Sequence, residues 1–405
     1  MLPLDPTTGL PRTSSIGFVV LPGGSIPVVT PSSASISAAS TTLVIKGSNF
    51  DPSAAGNVVK LSSGTVESIS AASTTSLTIA LGMMMNLRPG PLTASVTAFG
   101  LSTPAVQVAT VASNLLVANA GDNISGCTLS GASITSCSFV YYFDPNAQTL
   151  FGPRGMAVAN NVAYITNSNS ASKGGNRITQ CSISDGTITS CSIPTGVTWN
   201  LNKPYGIAVA GNVAYITNYN GNTVTECALS GGSIFSCGVP TGFAWNLINP
   251  TGITIVNNVA YVTNYAGNSI TQCQITSGSI TSCAVPSING AWNLNGPTSI
   301  AVANNVAYIT NVDGDTITQC PISGGSITSC AVPAGVTFKL DAPFGVAIQN
   351  NVAYITNLNQ DTITECTIVA GSITACEIPA FFFTGLTPSG QDNPYFAIPL
   401  PLAFV

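Results

Sequence analysis

Cysteine is the residue type whose spacing points most clearly to chemistry in this 405-residue chain. Around residue 230, Ser230-Gly-Gly-Ser233 predicts a hairpin turn that places Cys227 opposite Cys237 and Leu229 opposite Phe235. Directly opposed residues of antiparallel strands have Cα atoms about 4.5–5.5 Å apart, within the range of a disulfide. The same spacing occurs in every pair, and we predict six disulfides: Cys127–Cys137, Cys181–Cys191, Cys227–Cys237, Cys273–Cys283, Cys320–Cys330 and Cys366–Cys376.

Metal binding and redox catalysis are the alternative uses of these cysteines. The chain contains no histidine, and two cysteines on opposite strands of a hairpin provide no second converging pair of ligands. No Cys-x-x-Cys motif is present for thiol–disulfide exchange. We therefore predict structural disulfides and no metal, and cysteines used in this way indicate an oxidising compartment.

Side chains suited to catalysis are scarce. Without histidine, a Ser/His/Asp or Cys/His nucleophile system is impossible. Asp313-Gly-Asp315 could offer oxygens to calcium, but the twelve-residue loop pattern and its distal glutamate are missing. This phrase aligns with Asn220-Gly-Asn222 of an earlier repeat, which favours a solvated turn. The sequence therefore predicts neither an enzyme nor a cofactor.

Charge and hydropathy exclude further classes of protein. Nine basic and 14 acidic residues give a net charge of −5, so no cationic surface exists for a nucleic acid. The longest apolar runs, such as Ile79–Met85, are far shorter than the roughly 20 residues that span a bilayer. The first residues, Met1-Leu-Pro-Leu, lack the basic and apolar regions of a signal peptide. We interpret the chain as the processed form of an exported protein, extracellular or at the cell surface.

Two features are candidates for contact with carbohydrate. One aromatic residue per repeat stands five residues before the proline that opens the next repeat: Trp199, Trp245, Trp292 and Phe338. These rings could stack on sugars, but packing between neighbouring repeats is favoured because repeat-periodic aromatics usually belong to the core. Asn123-Ile-Ser125 is the one N-glycosylation sequon, which makes Asn123 a candidate glycan acceptor.

The elements that position these residues recur along the chain. The first cysteines of successive pairs are separated by 54, 46, 46, 47 and 46 residues. Each unit contains four short runs rich in β-branched residues, divided by Gly, Asn and Ser clusters that are typical of turns. Four strands in about 46 residues is the period of a β-propeller blade. Five complete units begin at Pro153, Pro204, Pro250, Pro297 and Pro343.

The first unit lacks its opening strand. It begins at Asn114-Leu-Leu-Val-Ala-Asn119, and the C-terminal run Pro394-Tyr-Phe-Ala-Ile398 matches the missing Pro-x-Gly-Ile-Ala-Val pattern without its glycine. A strand from the other end of the chain would close the ring and remove its exposed edges. The sequence therefore predicts an all-β fold with a six-bladed β-propeller over 113–400, closed by a strand at about 394–398, and one disulfide per blade.

A short phrase in the second run of each unit resembles a known family. Tyr-Ile/Val-Thr-Asn occurs at Tyr164, Tyr215, Tyr261, Tyr308 and Tyr354. It resembles the YVTN family of β-propeller repeats, related to NHL-type propellers, over residues about 114–400. The first unit departs from the pattern because Leu116 stands at the tyrosine position. The resemblance implies a propeller but no particular activity, since such propellers serve as surface-layer, adhesion and enzyme scaffolds alike.

Residues 26–112 contain no cysteine and differ from the repeats. Their strand-like runs, including Ser76–Ile79 and Gly90–Val96, suggest a small antiparallel β-sandwich. The phrase Ile45-Lys-Gly-Ser-Asn-Phe50 and the Gly-Pro-Leu-Thr-Ala turn resemble the immunoglobulin-like IPT/TIG domain. This resemblance implies a spacer or interaction module of an extracellular protein, without catalytic residues.

Two terminal segments lie outside both regions. Residues 1–25 form an extended Pro/Thr/Ser/Gly segment with one strand-like run, in which Ile16, Phe18 and Val20 are candidates for pairing with another subunit. Residues 401–405 form an apolar tail.

The composition of the surface favours a structural, non-enzymatic role. Charged residues make up 6% of the chain, so solubility depends on hydroxyl and amide groups or on glycans. Isolated monomers normally carry more charge. We therefore predict an extracellular subunit that assembles with copies of itself into a filament, tube or layer. The alternative is a cell-surface adhesin or glycan-binding propeller on an Ig-like stalk.

Overall fold

The computed structural model describes residues 25–36, 40, 42–81, 87, 90–111, 115–119, 121–130, 132–141, 149–168, 175–184, 187–379 and 394–399. Strands dominate these residues, and a short 3-10 helix, Ala54–Gly56, is the one helical element among them. The described residues divide into two compact units. One lies within Met1–Ser32, Thr41–Met83 and Thr93–Val108, and the other within Ser33–Ser40, Met84–Leu92 and Ala109–Val405.

Two sheets occupy the N-terminal part of the chain. Their strands are β1 (Val28–Val29), β2 (Ser35–Ile36), β3 (Thr42–Ser48), β4 (Asn57–Leu61), β5 (Val66–Ser73), β6 (Ser76–Leu81), β7 (Gly90–Ala98), β8 (Leu101–Ser102) and β9 (Val106–Val111). The strand orders are β1-β3-β6-β5 and β2-β9-β7-β4, with β8 beside β7. In β6 and β7 every second residue is buried, as expected for strands with one apolar face. The IPT/TIG assignment and the boundary at residue 112 stay predictions.

The remaining strands form six four-stranded antiparallel sheets. In blade order they are β33 (Pro394–Pro399), β10 (Leu115–Asn119), β11 (Asn123–Ser130) and β12 (Ser133–Tyr141); β13 (Pro153–Ala159), β14 (Val162–Asn167), β15 (Arg177–Ser184) and β16 (Thr187–Ser192); β17 (Pro204–Ala210), β18 (Val213–Asn218), β19 (Thr223–Ser230) and β20 (Ser233–Gly238); β21 (Pro250–Val256), β22 (Val259–Asn264), β23 (Ser269–Thr276) and β24 (Ser279–Ala284); β25 (Pro297–Ala303), β26 (Val306–Asn311), β27 (Thr316–Ser323) and β28 (Ser326–Ile327); and β29 (Pro343–Gln349), β30 (Val352–Asn357), β31 (Thr362–Val369) and β32 (Ser372–Glu377).

The inner strands form a closed ring. Each of β13, β17, β21, β25 and β29 contacts the next, and β33 contacts both β29 and β13. The strand β33 pairs antiparallel with β10, so that Leu116 lies opposite Ile398. The prediction of an all-β, six-bladed propeller with one disulfide per blade is confirmed.

Each disulfide joins the third strand of its blade to the outer strand or, in blade 5, to the segment that follows β28. The paired cysteines have Cα atoms 4.0–4.2 Å apart. One detail of the predicted register is wrong, because Leu229 lies opposite Ile234 and not opposite Phe235. The loop has only two residues, both at positive φ, and a β-bulge between Ala228 and Leu229 then shifts the register by one. The bulge brings Cys227 opposite Cys237.

In blades 2 to 6 the Tyr-Ile/Val-Thr-Asn phrase joins the blade to its neighbours. In blade 3 the Tyr215 hydroxyl donates a hydrogen bond to Gly278 O in the β23–β24 hairpin of blade 4 (2.8 Å). Thr217 Oγ1 donates to Thr251 O of the next inner strand (2.6 Å). Asn218 Oδ1 accepts a hydrogen bond from the linker before β17 (3.0 Å). All three side chains are buried, so the phrase satisfies its own polar groups while it fixes the next blade.

A second side chain reaches the same hairpin from the third strand. In blades 2, 4 and 5 it is glutamine, whose Nε2 donates to the hairpin glycine carbonyl of the next blade at 2.6–2.9 Å. In blades 3 and 6 it is Glu226 and Glu365. Glu226 accepts hydrogen bonds from Ile280 N (2.5 Å) and Ser279 Oγ (2.9 Å). An ionised carboxylate has no proton to donate to the carbonyl, so these two blades lack one donor.

Substitution Glu226→Gln is expected to stabilise the protein at neutral pH. Burial raises the pKa of the Glu226 carboxyl above its usual value of 4.5, against the two hydrogen bonds that lower it. Because the pKa of Glu226 is higher in the folded than in the unfolded protein, its protonated carboxyl stabilises the fold fully at pH values below the unfolded-state pKa. This stabilisation is lost as the pH rises through the folded-state pKa. Glutamine stays neutral and supplies the missing donor. We expect a gain of about 1 kcal/mol at pH 7, the usual net value of one hydrogen bond, and no gain in acid.

Denaturant unfolding at pH 7 and at about pH 3.5 measures this difference. The matched control is the reverse change in blade 4, Gln272→Glu, which should lower stability at pH 7 only. A gain for Glu226→Gln that is equal at both pH values would contradict the explanation, because it would not depend on ionisation.

Candidate binding site at one mouth of the propeller channel

All complete inner strands begin with proline on the same face of the propeller. The second strand of each blade runs antiparallel to the first and ends on that face, as Pro204 opposite Asn218 illustrates. The linkers between blades and the loops that join second and third strands therefore meet there. We call this side the proline face.

The channel inside the ring is apolar. It contains a cavity of about 300 Å³, lined by the middle residues of five inner strands, among them Val209, Ile255, Val302 and Ile348. No ionisable side chain is among these lining residues. Ionisable groups close to the channel lie instead at its mouth on the proline face.

One position of the inner strand differs from blade to blade. The pattern Pro-x-Gly-Ile-Ala-Val is nearly constant, but the residue after the proline is Arg154, Tyr205, Thr251, Thr298 or Phe344. In a repeat protein, a position shared by all repeats serves the common architecture, whereas a position that differs can serve one particular site. The variable position therefore marks the mouth of the channel as the candidate site.

Side chains from three blades converge at this mouth. Tyr205 and Phe344 belong to opposite blades, yet their ring centroids are 6.3 Å apart. Arg154 Cζ lies 5.2 Å from the centroid of Tyr205 and 5.8 Å from that of Phe344. Tyr205 stacks on Tyr219 with centroids 4.8 Å apart and planes 23° from parallel. Lys203 Nζ lies 4.7 Å from the Tyr219 centroid. We call these five residues the mouth cluster.

The mouth cluster is anchored by hydrogen bonds and further rings. Arg154 Nε donates to Ser168 Oγ (3.2 Å), and Lys203 N donates to Asn176 Oδ1 (2.8 Å). Beside Tyr219 lies the ring of Tyr265, with centroids 6.2 Å apart. Burial, together with a hydrogen bond to Asp313, raises the pKa of Tyr265, and burial with Tyr205 and Asp313 nearby raises that of Tyr219. Both hydroxyls therefore stay protonated near neutral pH.

Charged side chains of both signs lie on the proline face, and Asp122 in the β10–β11 loop of blade 1 accepts a hydrogen bond from Gly152 N, two residues before Arg154 (2.6 Å). Arg154, Arg177 and Lys203 belong to blades 2 and 3, while four aspartates belong to blades 5 and 6: Asp313, Asp315, Asp341 and Asp361. Within the described part of the chain, the one ion pair joins Lys339 and Glu377. Lys203 is therefore not among the described residues that form an ion pair.

Asp313-Gly-Asp315 occupies a structural turn. Asp315 Oδ1 accepts a hydrogen bond from Ala342 N in the next linker (2.8 Å). Asn176 Oδ1 accepts the equivalent hydrogen bond from Lys203 N, so Asp315 replaces an asparagine that has the same structural role in blade 2. No group of three metal-ligating side chains occurs among the residues that the structure describes.

The four repeat-periodic aromatics are not gathered into one site. Trp199, Trp245, Trp292 and Phe338 are each half-buried and pack against the apolar cluster of a different pair of blades. This arrangement agrees with packing between repeats, and sugar stacking at these rings stays a prediction. Sequence reasoning selected these rings for their periodicity and missed the mouth cluster, which appears only at a non-periodic position.

The remaining candidates have different outcomes. Asn123 is only 6% exposed, its Oδ1 accepts from Asn119 Nδ2 (2.7 Å), and its Nδ2 donates to Gly121 O (3.3 Å). A glycan acceptor needs an accessible amide, so the burial of Asn123 in the folded protein argues against that role. Ile16, Phe18 and Val20, and the tail at 401–405, lie outside the described residues.

Comparison with known proteins shows the fold. No protein-family model and no curated protein matches the sequence. A chain of the nidogen/laminin complex is 15% identical over 70% of this chain and 97% of its own length, with a TM-score of 0.52. A putative 6-phosphogluconolactonase from Bacteroides uniformis ATCC 8492 is 11% identical over 66% and 83%, with a TM-score of 0.50. Identities this low show a shared propeller architecture alone.

The disulfides are consistent with the predicted extracellular or cell-surface location. Six disulfides in one chain are typical of secreted or extracellular proteins. Among the described residues, no helix has the length and apolar character needed to cross a bilayer.

Proposed function

We propose that this chain is an extracellular binding protein whose ligand docks at the mouth cluster on the proline face. The observation that carries the proposal is the convergence of Arg154, Lys203, Tyr205, Tyr219 and Phe344 at one end of an otherwise apolar channel. The disulfide-braced ring holds these side chains on strands and short linkers, which is the rigid support that a binding site needs.

A binding role is favoured over catalysis by the chemistry of the site. The lining of the channel cavity supplies no acid or base. At the mouth, the raised pKa values of Tyr219 and Tyr265 make both poor bases near neutral pH. Cations and aromatic rings on a rigid frame are suited to recognition, and this supports the alternative of an adhesin or glycan-binding propeller.

Binding is expected to depend on Tyr205, because this ring contacts Arg154, Tyr219 and Phe344. A screen of the oxidised full-length protein against immobilised saccharides and extracellular-matrix proteins identifies ligands. For a ligand of the mouth, Tyr205→Ala should weaken binding by about tenfold or more, equivalent to about 1.4 kcal/mol. The control is Trp199→Ala, which alters a half-buried ring on a linker outside the mouth cluster.

Three outcomes separate the possibilities. A loss with Tyr205→Ala and none with Trp199→Ala supports the mouth. The reverse result places the ligand on the periodic aromatics. Thermal unfolding of both variants confirms that the propeller is intact, and the absence of any ligand contradicts a binding function.

Self-assembly into a filament, tube or layer is the second candidate function. Phe235 is 57% exposed on β20, the outer edge strand of blade 3, and Val285 beside β24 of blade 4 is 43% exposed. Exposed apolar side chains on sheet edges are suited to contact with another copy, and the surface carries few charges to oppose it. Electron microscopy of the oxidised full-length protein at high concentration tests this role, which discrete monomers would contradict.

A further inference from the structure

We propose that the mouth cluster binds an acidic saccharide, whose carboxylate or sulfate group is held by Lys203 and Arg154. This inference rests on the proposed binding function and specifies the chemical class of the ligand. Three features of the site lead to it: the occupied faces of the aromatic rings, the fixed cations and two exposed amides adjacent in sequence.

The aromatic rings of the mouth cluster are already engaged by protein groups. Tyr205 is stacked on Tyr219 and also contacts Arg154, while Tyr219 also contacts Lys203. A neutral sugar binds aromatic side chains through an open ring face, and little of either face is left for it here. The rings instead hold two cations at the channel mouth through cation–π contacts.

The two cations are positioned to bind an anion. Lys203 Nζ lies within 6 Å of two ring centroids, at 4.7 Å from Tyr219 and 5.9 Å from Tyr205. It forms no ion pair with any described residue, and its ammonium group has protons to donate. Holding a flexible cation in place before binding lowers the entropy cost of capturing a ligand. Arg154 Cζ and Lys203 Nζ both lie within 6 Å of the Tyr205 ring centroid, so an anionic group at this ring is attracted by both charges.

Two exposed amide side chains are adjacent in sequence to residues of the mouth cluster. Asn202 and Asn220 are exposed, adjacent in sequence to Lys203 and Tyr219, and the Cβ of Asn202 lies 3.6 Å from where a Cβ on Gly221 would be. An amide offers both a donor and an acceptor, which matches the hydroxyl groups of a sugar. A ligand that combines several hydroxyl groups with one acidic group offers partners to both the amides and the cations, whereas the acidic side chains of a peptide offer carboxylates alone.

The experiment titrates the oxidised full-length protein with four probes: oligogalacturonate, a sulfated heparin-derived oligosaccharide, a neutral cello-oligosaccharide and a polyglutamate peptide. We expect an acidic saccharide to bind more tightly than the other two probes, with an affinity that falls as salt rises. Lys203→Gln and Arg154→Gln should each weaken it by about tenfold or more. Lys339→Gln is the matched control, because it removes a cation that is paired with Glu377 on the same face.

Each result decides the proposal. Preference for the uronate or for the sulfated probe, lost in Lys203→Gln and kept in Lys339→Gln, supports it and identifies the acidic group. Equal binding of the neutral oligosaccharide, or tighter binding of polyglutamate, overturns the acidic-saccharide class while leaving a binding function intact. If none of the probes binds and the ligand screen still yields a Tyr205-dependent ligand, the saccharide proposal alone fails. An empty screen contradicts the binding function as well.

Discussion

Gly206→Ala is expected to destabilise the propeller by about 3 kcal/mol, the upper end of the usual cost of overpacking. A Cβ at this position would lie 2.4 Å from Thr251 O and 3.0 Å from Ile253 N, both backbone atoms of the next inner strand. A flexible side chain could move aside, but here β17 or β21 must shift. Because β21 also contacts β25, the shift would be passed along the ring. Denaturant unfolding of the oxidised protein measures the loss.

Gly238→Ala is the matched control for this prediction. Gly238 ends β20, has no positive φ, and a Cβ there would meet nothing within 4 Å. We expect a change within about 0.5 kcal/mol, as for an ordinary surface substitution. Blade 5 already carries Ser299 at the position equivalent to Gly206, so the ring accepts a side chain where its neighbour leaves space. Equal effects of the two alanine variants would show that inner-strand spacing is looser than the structure indicates.

The blade architecture was accessible from the sequence because each blade repeats the same local solution. The cysteine interval fixes the blade period, and the Tyr-Ile/Val-Thr-Asn phrase recurs because its tyrosine hydroxyl and its asparagine amide oxygen bond equivalent partners in five blades. The register beyond the cysteines was not accessible. A turn at Ser230–Ser233 determines the pairing near the loop, but the β-bulge between Ala228 and Leu229 shifts the register before the cysteines, and the Gly-Gly turn does not indicate it. Leu229 was therefore assigned the wrong partner.

The mouth cluster could not be predicted from the sequence, for a different reason. Arg154, Tyr205 and Phe344 are far apart in sequence, and each alone resembles a neutral substitution in a repeated strand. Only closure of the six-bladed ring brings opposite blades together at the mouth. The signal that could have found them is the contrast between one variable position and its nearly constant neighbours. Periodic aromatics such as Trp199 are easier to recognise in the sequence, but periodicity itself indicates a shared packing role.

Removing a disulfide from the outer hairpin of a blade is expected to have the second large effect on stability. Replacing Cys227 and Cys237 by serine is expected to cost about 3 kcal/mol, because closing a loop of this length restricts the unfolded chain by about that amount. The Cys320–Cys330 pair has the same separation of 10, so the chain-entropy cost of its removal should be equal. Denaturant unfolding of the two double variants compares the global losses.

The two disulfides differ in what remains of the native blade after their removal. In blade 3, the outer strand β20 has six residues and stays paired with β19 through backbone hydrogen bonds. In blade 5, β28 has only two residues, and Pro321 on the adjacent strand has no N–H to donate. Hydrogen exchange of the oxidised parent and both variants should therefore show local opening at 326–331 in the Cys320→Ser/Cys330→Ser protein and persistent protection of β20 in the other. Equal protection in both would mean that packing, and not the disulfide, holds the outer strand of blade 5.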